Sequence, residues 1–362
     1  LEFVVQKTKS VRIILYNLGG PDRLEAVRPF LFNLFYDPAI FRLPNPFRWL
    51  LAQLVSRRRQ KKASGIYAQM GGKSPILEET LAQAARLEQL LAERSMSVSV
   101  RVAMRYWHPM AAEAVRSCIE DAVDEVILLP LYPHYSTTTT ESFMKEWQHQ
   151  ALGQNAGFFT KMLCCYPTHS RFIDAHVALL HATLTGAQLQ NTTELPMRIL
   201  FSAHGLPQKV VDEGDPYQRH IEATVKALLM KLGQEVDYRI TYQSRVGPLK
   251  WLEPSTEHSI KEAALDGVGI IIVPIAFVSE HSETKVELDI EYAELAHELG
   301  VKIYRRVPTL STHPFYIEAL ADLATRVLSV SSDENQKVTV FRDAVACEGK
   351  WCGACRHQAP LV

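Results

Sequence analysis

His281, Glu283, Glu287 and Glu291 follow one another within FVSEHSETKVELDIEYAEL, residues 277–295. Imidazole and carboxylate groups set this close can exchange protons near neutral pH or share a cation, and such ligands suit ferrous iron and similar metals. The three glutamates are spaced i, i+4, i+8, so on a helix they form one ridge that drifts slowly around the axis. Like charges at that spacing oppose each other, so the helix gains nothing from them, and a solvated outer face is the plain reading of such a run. Against it, the ridge starts where an apolar run, VGIIIVPIAF, ends, and its other face, Val286, Ile290 and Ala293, can pack on the body. The stretch reads as a carboxylate ridge leading into a cleft, able to relay protons or pass a divalent cation. His204, in SAHGLP (202–207), also ends an apolar run and is expected to converge on the same cleft.

These side chains need a frame that brings distant residues to one edge. Short apolar runs alternate with helical patterns throughout: VRIILY (11–16), SVRVAM (99–104), EVILLPL (125–131), KMLCC (161–165), MRILFS (197–202), DYRITYQ (237–243), VGIIIVP (268–274) and VKIYRRV (301–307). Between them lie amphipathic segments such as ILEETLAQAARLEQLLAER (76–94) and DPYQRHIEATVKALLMKLG (215–233). Strands separated by such helices predict an α/β chain of parallel sheets flanked by helices. The halves also repeat: RIILYNLGGP parallels RILFSAHGLP, and EVILLPLYPHYSTTTTES parallels VGIIIVPIAFVSEHSETK. Two similar Rossmann-like halves are therefore expected, 11–185 and 196–330, joined near GAQLQNTTELP and followed by a tail at 331–362. Ligands of such sheets bind beyond the carboxyl ends of the strands, which here carry NLGGP, RYWHP, YPHYSTTTT, SAHGLP and QSRVGP. STTTT can cradle an anion at a helix N-terminus or simply cap that helix.

The repeat exposes an insertion. Arg12 to Arg101 spans 89 residues and Arg198 to Arg239 spans 41, a difference of 48 that falls at about 22–70. The inserted segment is aromatic and leucine-rich, then basic at Arg57, Arg58, Arg59, Lys61 and Lys62. It reads as a helical hairpin and as an apolar lid able to touch a membrane surface.

Composition narrows the class. The 362 residues are 47% hydrophobic and 22% charged with a formal net charge of −1, which suits a globular enzyme and favours no nucleic-acid partner. No apolar stretch approaches the roughly 20 residues of a membrane span. LEFVVQKTKS has no apolar signal core, so a cytoplasmic protein is expected. Neither G-x-G-x-x-G nor G-x-x-x-x-G-K-[ST] nor H-E-x-x-H occurs, which argues against a dinucleotide enzyme, an NTPase and a zinc protease.

NLGGP, RYWHP, YPHYSTTTT, SAHGLP, QSRVGPLKWLEPST and VPIAFVSEHSETKVELDIEY resemble, in order, signatures of the ferrochelatase family, over about 11–328. The resemblance implies a cleft between two Rossmann-like halves in which ferrous iron, as substrate, replaces the two pyrrole protons of protoporphyrin IX to give protoheme. It implies catalytic and iron-contacting roles for His204 and Glu283, with His281 beside them, and a relay through Glu287 and Glu291. Tyr67, Arg105, Tyr106 and Trp251 match porphyrin-binding positions. The insertion matches an apolar lip that in some members touches the membrane, here the inner membrane. Coproporphyrin or another tetrapyrrole is the alternative substrate, and monomer and homodimer both remain open. Cys347, Cys352 and Cys355 have C-x4-C-x2-C spacing, that of a plant-type [2Fe–2S] site short of one cysteine. Some members carry such a cluster. Cys118, Cys164 and Cys165 are the other thiols, and a zinc-binding or free-thiol tail is the competing reading.

Overall fold

A computed structural model describes residues 9–190, 195–245, 247–330 and 338–341. The first sheet contains β1 (Val11–Asn17), β2 (Val98–Met104), β3 (Glu125–Pro130), β4 (Phe159–Leu163) and β9 (Val338–Phe341), in the order β2-β1-β3-β4-β9. The second contains β5 (Met197–His204), β6 (Asp237–Gln243), β7 (Gly269–Pro274) and β8 (Tyr304–Arg306), in the order β6-β5-β7-β8. All pairings are parallel. The first four strands of each half thus take the same spatial order, as the internal repeat requires. β9 was not expected from the sequence. It adds Val338–Phe341 to the N-terminal sheet, pairing Thr160 with Val338 and Leu163 with Phe341.

Helices cover both faces, so β1, β3, β5 and β7 are buried nearly throughout rather than alternating. Successive side chains still point to opposite sides. Ile13 and Leu15 of β1 join one buried cluster with Ile199 and Phe201 of β5, Ile271 and Val273 of β7, and Tyr316 and Leu320. That cluster runs between the two sheets and includes faces of α3 (Ile76–Glu93), α6 (Ser170–Gln190), α8 (Tyr217–Leu232) and α11 (Pro314–Ser329). Ile14 and Tyr16 point the other way, onto α4 (Ala111–Glu120) and α5 (Thr140–Gly153). Leu200, Ile270 and Ile272 meet α9 (Thr256–Leu265) and α10 (Tyr292–Glu298). The two sheets therefore share a continuous apolar interior.

Polar contacts cross the same boundary. Asp215, ahead of α8, accepts hydrogen bonds from Ser136 Oγ at 2.9 Å and from Thr137 N and Oγ1 at 2.7 Å each. The STTTT loop does cradle an anion, but the anion is this buried internal carboxylate. The capping alternative is not met, because the Thr139 side chain makes no hydrogen bond at the start of α5. His134 Nε2 lies 2.8 Å from Thr224 Oγ1, again across the boundary.

The insertion folds as a 3-10 turn at Leu24–Ala26 and two packed helices, α1 (Val27–Tyr36) and α2 (Phe47–Gln69). Phe30, Leu31, Phe35 and Ala52 form its own apolar core with Tyr106 and Trp107. The remaining short helix, α7 (Gln208–Asp212), follows β5.

Candidate active site

The residues after His281 form a π-helix, Glu283–Glu291, where the i, i+4, i+8 spacing predicts an α-ridge. In an α-helix each step of four residues overshoots a full turn by about 40°. The wider i→i+5 turn brings four residues to just short of one, so the carboxylates fan in the opposite sense. The packing face differs accordingly. Thr284, Val286 and Leu288 are buried, while Ile290 and Ala293 are only partly so. Neighbouring strands satisfy backbone groups along this helix. Tyr304 OH of β8 donates to Leu288 O at 2.7 Å, and Gln243 Nε2 of β6 donates to Glu283 O at 3.2 Å. Arg306 holds the outer side, donating to Glu280 Oε1 at 2.9 Å, to Asp289 Oδ2 at 2.9 Å and to Asp289 Oδ1.

His204 is the last residue of β5, and its Nδ1 lies 2.6 Å from Gly205 O. Gly205 must be glycine because a Cβ there would sit 2.9 Å from Gln243 O. His281 Nδ1 lies 3.0 Å from Ser279 O. Both rings thus place Nδ1–H on a carbonyl in the neutral state and leave the Nε2 lone pair free. Both Nε2 atoms face Glu283, at 3.7 Å from Oε1 for His204 and 3.7 Å from Oε2 for His281. These separations exceed a hydrogen bond, and Glu283 Oε2 is buried with no hydrogen-bond partner among the described residues.

Burial pushes the Glu283 carboxyl up, but the charge of the His204 and His281 rings outweighs it and brings it down to about 2. Burial pushes His281 down, yet Glu283 and the Ser279 carbonyl outweigh that and raise it. Glu287 is raised, by burial and then by the nearby Glu283 charge. Four donors fix its carboxylate: Gln243 Nε2, Ser244 N and Tyr292 OH at 2.9 Å each, and Ser244 Oγ. Glu291 is exposed at the cavity edge.

His204, His281, Glu283, Glu287 and Glu291 all line a cavity of about 1040 Å³ between the two sheets and the lip. Tyr67 of α2 and Trp251 line it too. Burial pushes the Tyr67 phenol up to about 12, so it stays neutral. Trp251 is held by Leu252 N donating to Leu206 O and Gln208 N donating to Lys250 O, and its buried indole N–H has no acceptor among the described residues. Arg59, Lys62, Arg245 and Lys250 put positive charge around the cavity. Arg42 of the lip and Glu213 beyond α7 form an ion pair at its margin.

Arg105 and Tyr106 do not line the cavity. Arg105 Nη2 and Tyr106 OH both reach Asp37 Oδ2 at 2.8 Å, and Arg105 Nε donates to Ser142 Oγ at 2.8 Å. Asp37 lies in the lip, so this buried network fastens the lip to the first sheet. Asp37, Gln243, Ser244 and Arg306 were not singled out from sequence. A lone aspartate in FLFNLFYDPAIF and the glutamine and serine that end a strand in QSRVGP were the available signals. Cys347, Cys352 and Cys355 lie outside the described residues.

Comparisons with known proteins bear on the whole of this arrangement. Residues 11–328 match the family model Ferrochelatase. The chain is 50% identical over 324 residues to the ferrochelatase of Phenylobacterium zucineum (strain HLK1), covering 89% of this chain and 92% of that protein. It is 47% identical over 328 residues to the ferrochelatase of Rickettsia bellii (strain OSU 85-389), covering 90% and 89%. Among solved structures, SirB from Bacillus subtilis with Fe3+ has a TM-score of 0.52 at 11% identity, covering 89% of this chain and 96% of that one, a likeness of fold. Identity near one half, extending over both sheets and the cavity between them, means that the chain belongs to the ferrochelatase family.

Proposed function

We propose that this chain inserts ferrous iron into protoporphyrin IX to give protoheme, at the cavity wall formed by His204, Glu283 and His281. One observation carries the reading: two imidazole Nε2 atoms face one half-buried carboxylate, each at 3.7 Å, on the wall of a cavity of about 1040 Å³. Insertion exchanges two pyrrole N–H protons for one divalent cation and releases two protons. A carboxylate held near 2 is a poor base but a strong counter-ion. His204, the more open ring, takes the two pyrrole protons at Nε2 one after the other, handing the first on to water before it accepts the second, and Glu283 stabilises each imidazolium. Its second oxygen and His281 accompany the incoming cation, whose remaining ligands are the macrocycle nitrogens. Glu287, with a raised affinity for protons, and Glu291 at the cavity edge support passage of protons away from the ring. Arg59, Lys62, Arg245 and Lys250 suit a flat apolar ligand with carboxylate substituents.

The test is an anaerobic assay with protoporphyrin and coproporphyrin in parallel, supplied with Fe²⁺ or Zn²⁺. Loss of free-porphyrin fluorescence with growth of the metalloporphyrin spectrum, faster with protoporphyrin, is expected. A fluorescence shift without consumption would make the protein a binder and overturn the reading. Faster turnover of coproporphyrin would assign the alternative substrate.

The lip supports peripheral contact with an anionic membrane face. Phe47 and Leu50 are 65% and 56% exposed, Trp49 and Leu54 are exposed beside them, and Arg57, Arg58 and Lys61 follow on the same helix. Among the described residues no helix is long and apolar enough to cross a membrane. Trp49→Ser with Leu50→Ser is expected to weaken binding to vesicles containing phosphatidylserine and to move thermal stability little, since both side chains are solvent-facing. Unchanged vesicle binding would remove the contact.

The [2Fe–2S] reading of the tail rests on cysteine spacing and on the family resemblance. Cys118, Cys164 and Cys165 are fully buried. The described residues therefore offer no accessible fourth thiolate.

A further inference from the structure

Gln83 lies on α3, a first-half helix, and is fully buried. A buried glutamine amide is costly unless all its groups are satisfied. Here its partners come from the second half. Nε2 donates to Val278 O at 3.0 Å and to Ser311 O at 3.1 Å, while Oε1 accepts from Ser279 Oγ at 3.1 Å. Two carbonyls on one side and a hydroxyl donor on the other fix which way the amide points. Glu79, one helical turn earlier, accepts from Ser311 Oγ. Ser311 has φ +41°, a left-handed conformation that a serine keeps only where its surroundings impose it. Ser311 N in turn donates to Val278 O at 2.9 Å.

The clamped segment carries the site. Ser279, whose hydroxyl Gln83 holds, is the residue whose carbonyl receives His281 Nδ1–H at 3.0 Å. That bond sets the His281 tautomer and turns Nε2 toward Glu283. Glu283 begins the π-helix two residues later. The path from Gln83 to the imidazole is thus two hydrogen bonds through a single serine.

We infer that Gln83 is a positioning residue for metal insertion: from the opposite half of the molecule it fixes the Ser279 carbonyl and, through it, the orientation and tautomer of His281. Its effect on turnover rests on the function proposed above. Its effect on the His281 ring does not. The glutamine contributes no group to the cavity, so porphyrin affinity is independent of it.

The test combines kinetics with a spectroscopic reading on the full chain. Gln83→Leu keeps the side-chain volume and removes all three bonds. Ser279→Ala removes one and guards against a folding failure of the first variant. With Zn²⁺ and protoporphyrin, kcat is expected to fall about 10–100-fold in Gln83→Leu, as for other outer residues that orient a functional histidine, with KM for porphyrin unchanged. In a His281→Ala background the same substitution should add almost nothing, because both act through one group. In ¹⁵N-histidine-labelled protein, the His281 resonances, assigned by their loss in His281→Ala, should report Nδ1–H in the wild type and a tautomer mixture in Gln83→Leu and Ser279→Ala. A full, additive loss in the His281→Ala background would reduce Gln83 to general packing and overturn the inference. So would unchanged His281 resonances in both variants. A wild-type protein that inserts no metal refutes the proposed function, while the resonances still decide the role of Gln83.

Discussion

Glu283→Gln and His204→Ala are each expected to lower the turnover of metal insertion by about 10²–10⁴-fold, the range of general acid–base contributions, while porphyrin binding persists. The amide keeps the shape of Glu283 but removes the charge that faces both imidazoles at 3.7 Å. Without it, protonating His204 inside the cavity has no compensating counter-ion. Porphyrin binding draws instead on the apolar walls and the cationic residues around them, which neither substitution touches. Because the two groups act as one unit, the double variant should be little worse than either single one. Glu287→Gln should be milder. Its carboxylate is fixed by Gln243, Ser244 and Tyr292, and an amide retains part of that bonding. Glu291→Gln should be nearly silent, since that residue is exposed and water can take its place. Zinc insertion into protoporphyrin, measured for all five proteins with fluorescence titration of binding, checks the series. Wild-type turnover in Glu283→Gln would sink the catalytic reading of the ridge.

The second large effect concerns stability. Arg306→Met is expected to cost about 3–5 kcal/mol near pH 7, as when one partner of a buried ion pair is removed. Arg306 and Glu280 have side-chain exposures of 10% and 14%, and the same guanidinium also holds Asp289. Burial pushes Glu280 up, but the Arg306 charge and the hydrogen bonds from Thr284, Arg306 and Thr309 N outweigh it and leave the carboxyl below its ordinary value. A depressed carboxylate stabilises the fold above its unfolded pKa, roughly 4.3, and that stabilisation is lost as pH falls through the lower folded value. The gap between wild type and Arg306→Met should therefore be full at neutral pH and narrow below about pH 4. Urea denaturation across that range measures it. A gap that stays constant with pH would show that packing of the arginine stem, not the ion pair, carries the cost.

The parallel sheets were legible because each half repeats its apolar runs in the same order; the repeat requires the halves to share a strand order but does not say which one. The positions of His204 and His281 were legible because both end such runs. Other features were not, for physical reasons. A carboxylate every fourth residue fits an α-ridge and a π-helix equally, and what selects the wide turn lies elsewhere in the chain, in Gln243, Tyr304 and Arg306. β9 is four residues long, and its partner, β4, is far away in sequence. Arg105 and Tyr106 follow a strand at the correct edge, but sequence does not say to which side the chain turns. They turn to Asp37 of the lip. Gln83 sits in an ordinary amphipathic helix, with nothing in its spacing to separate it from a surface glutamine.

Asp215 in its cradle of Ser136 and Thr137, together with the apolar interior common to both sheets, has a mechanical consequence. Swinging the sheets apart about a hinge would strand several buried polar groups at about 1–3 kcal/mol each and wet a large apolar surface. Letting go of the Arg42–Glu213 pair costs about 0–1 kcal/mol, since both side chains are already in water. The frame that aims His204 and His281 therefore resists opening, while the Arg42–Glu213 pair at the cavity margin is the contact that yields at least cost.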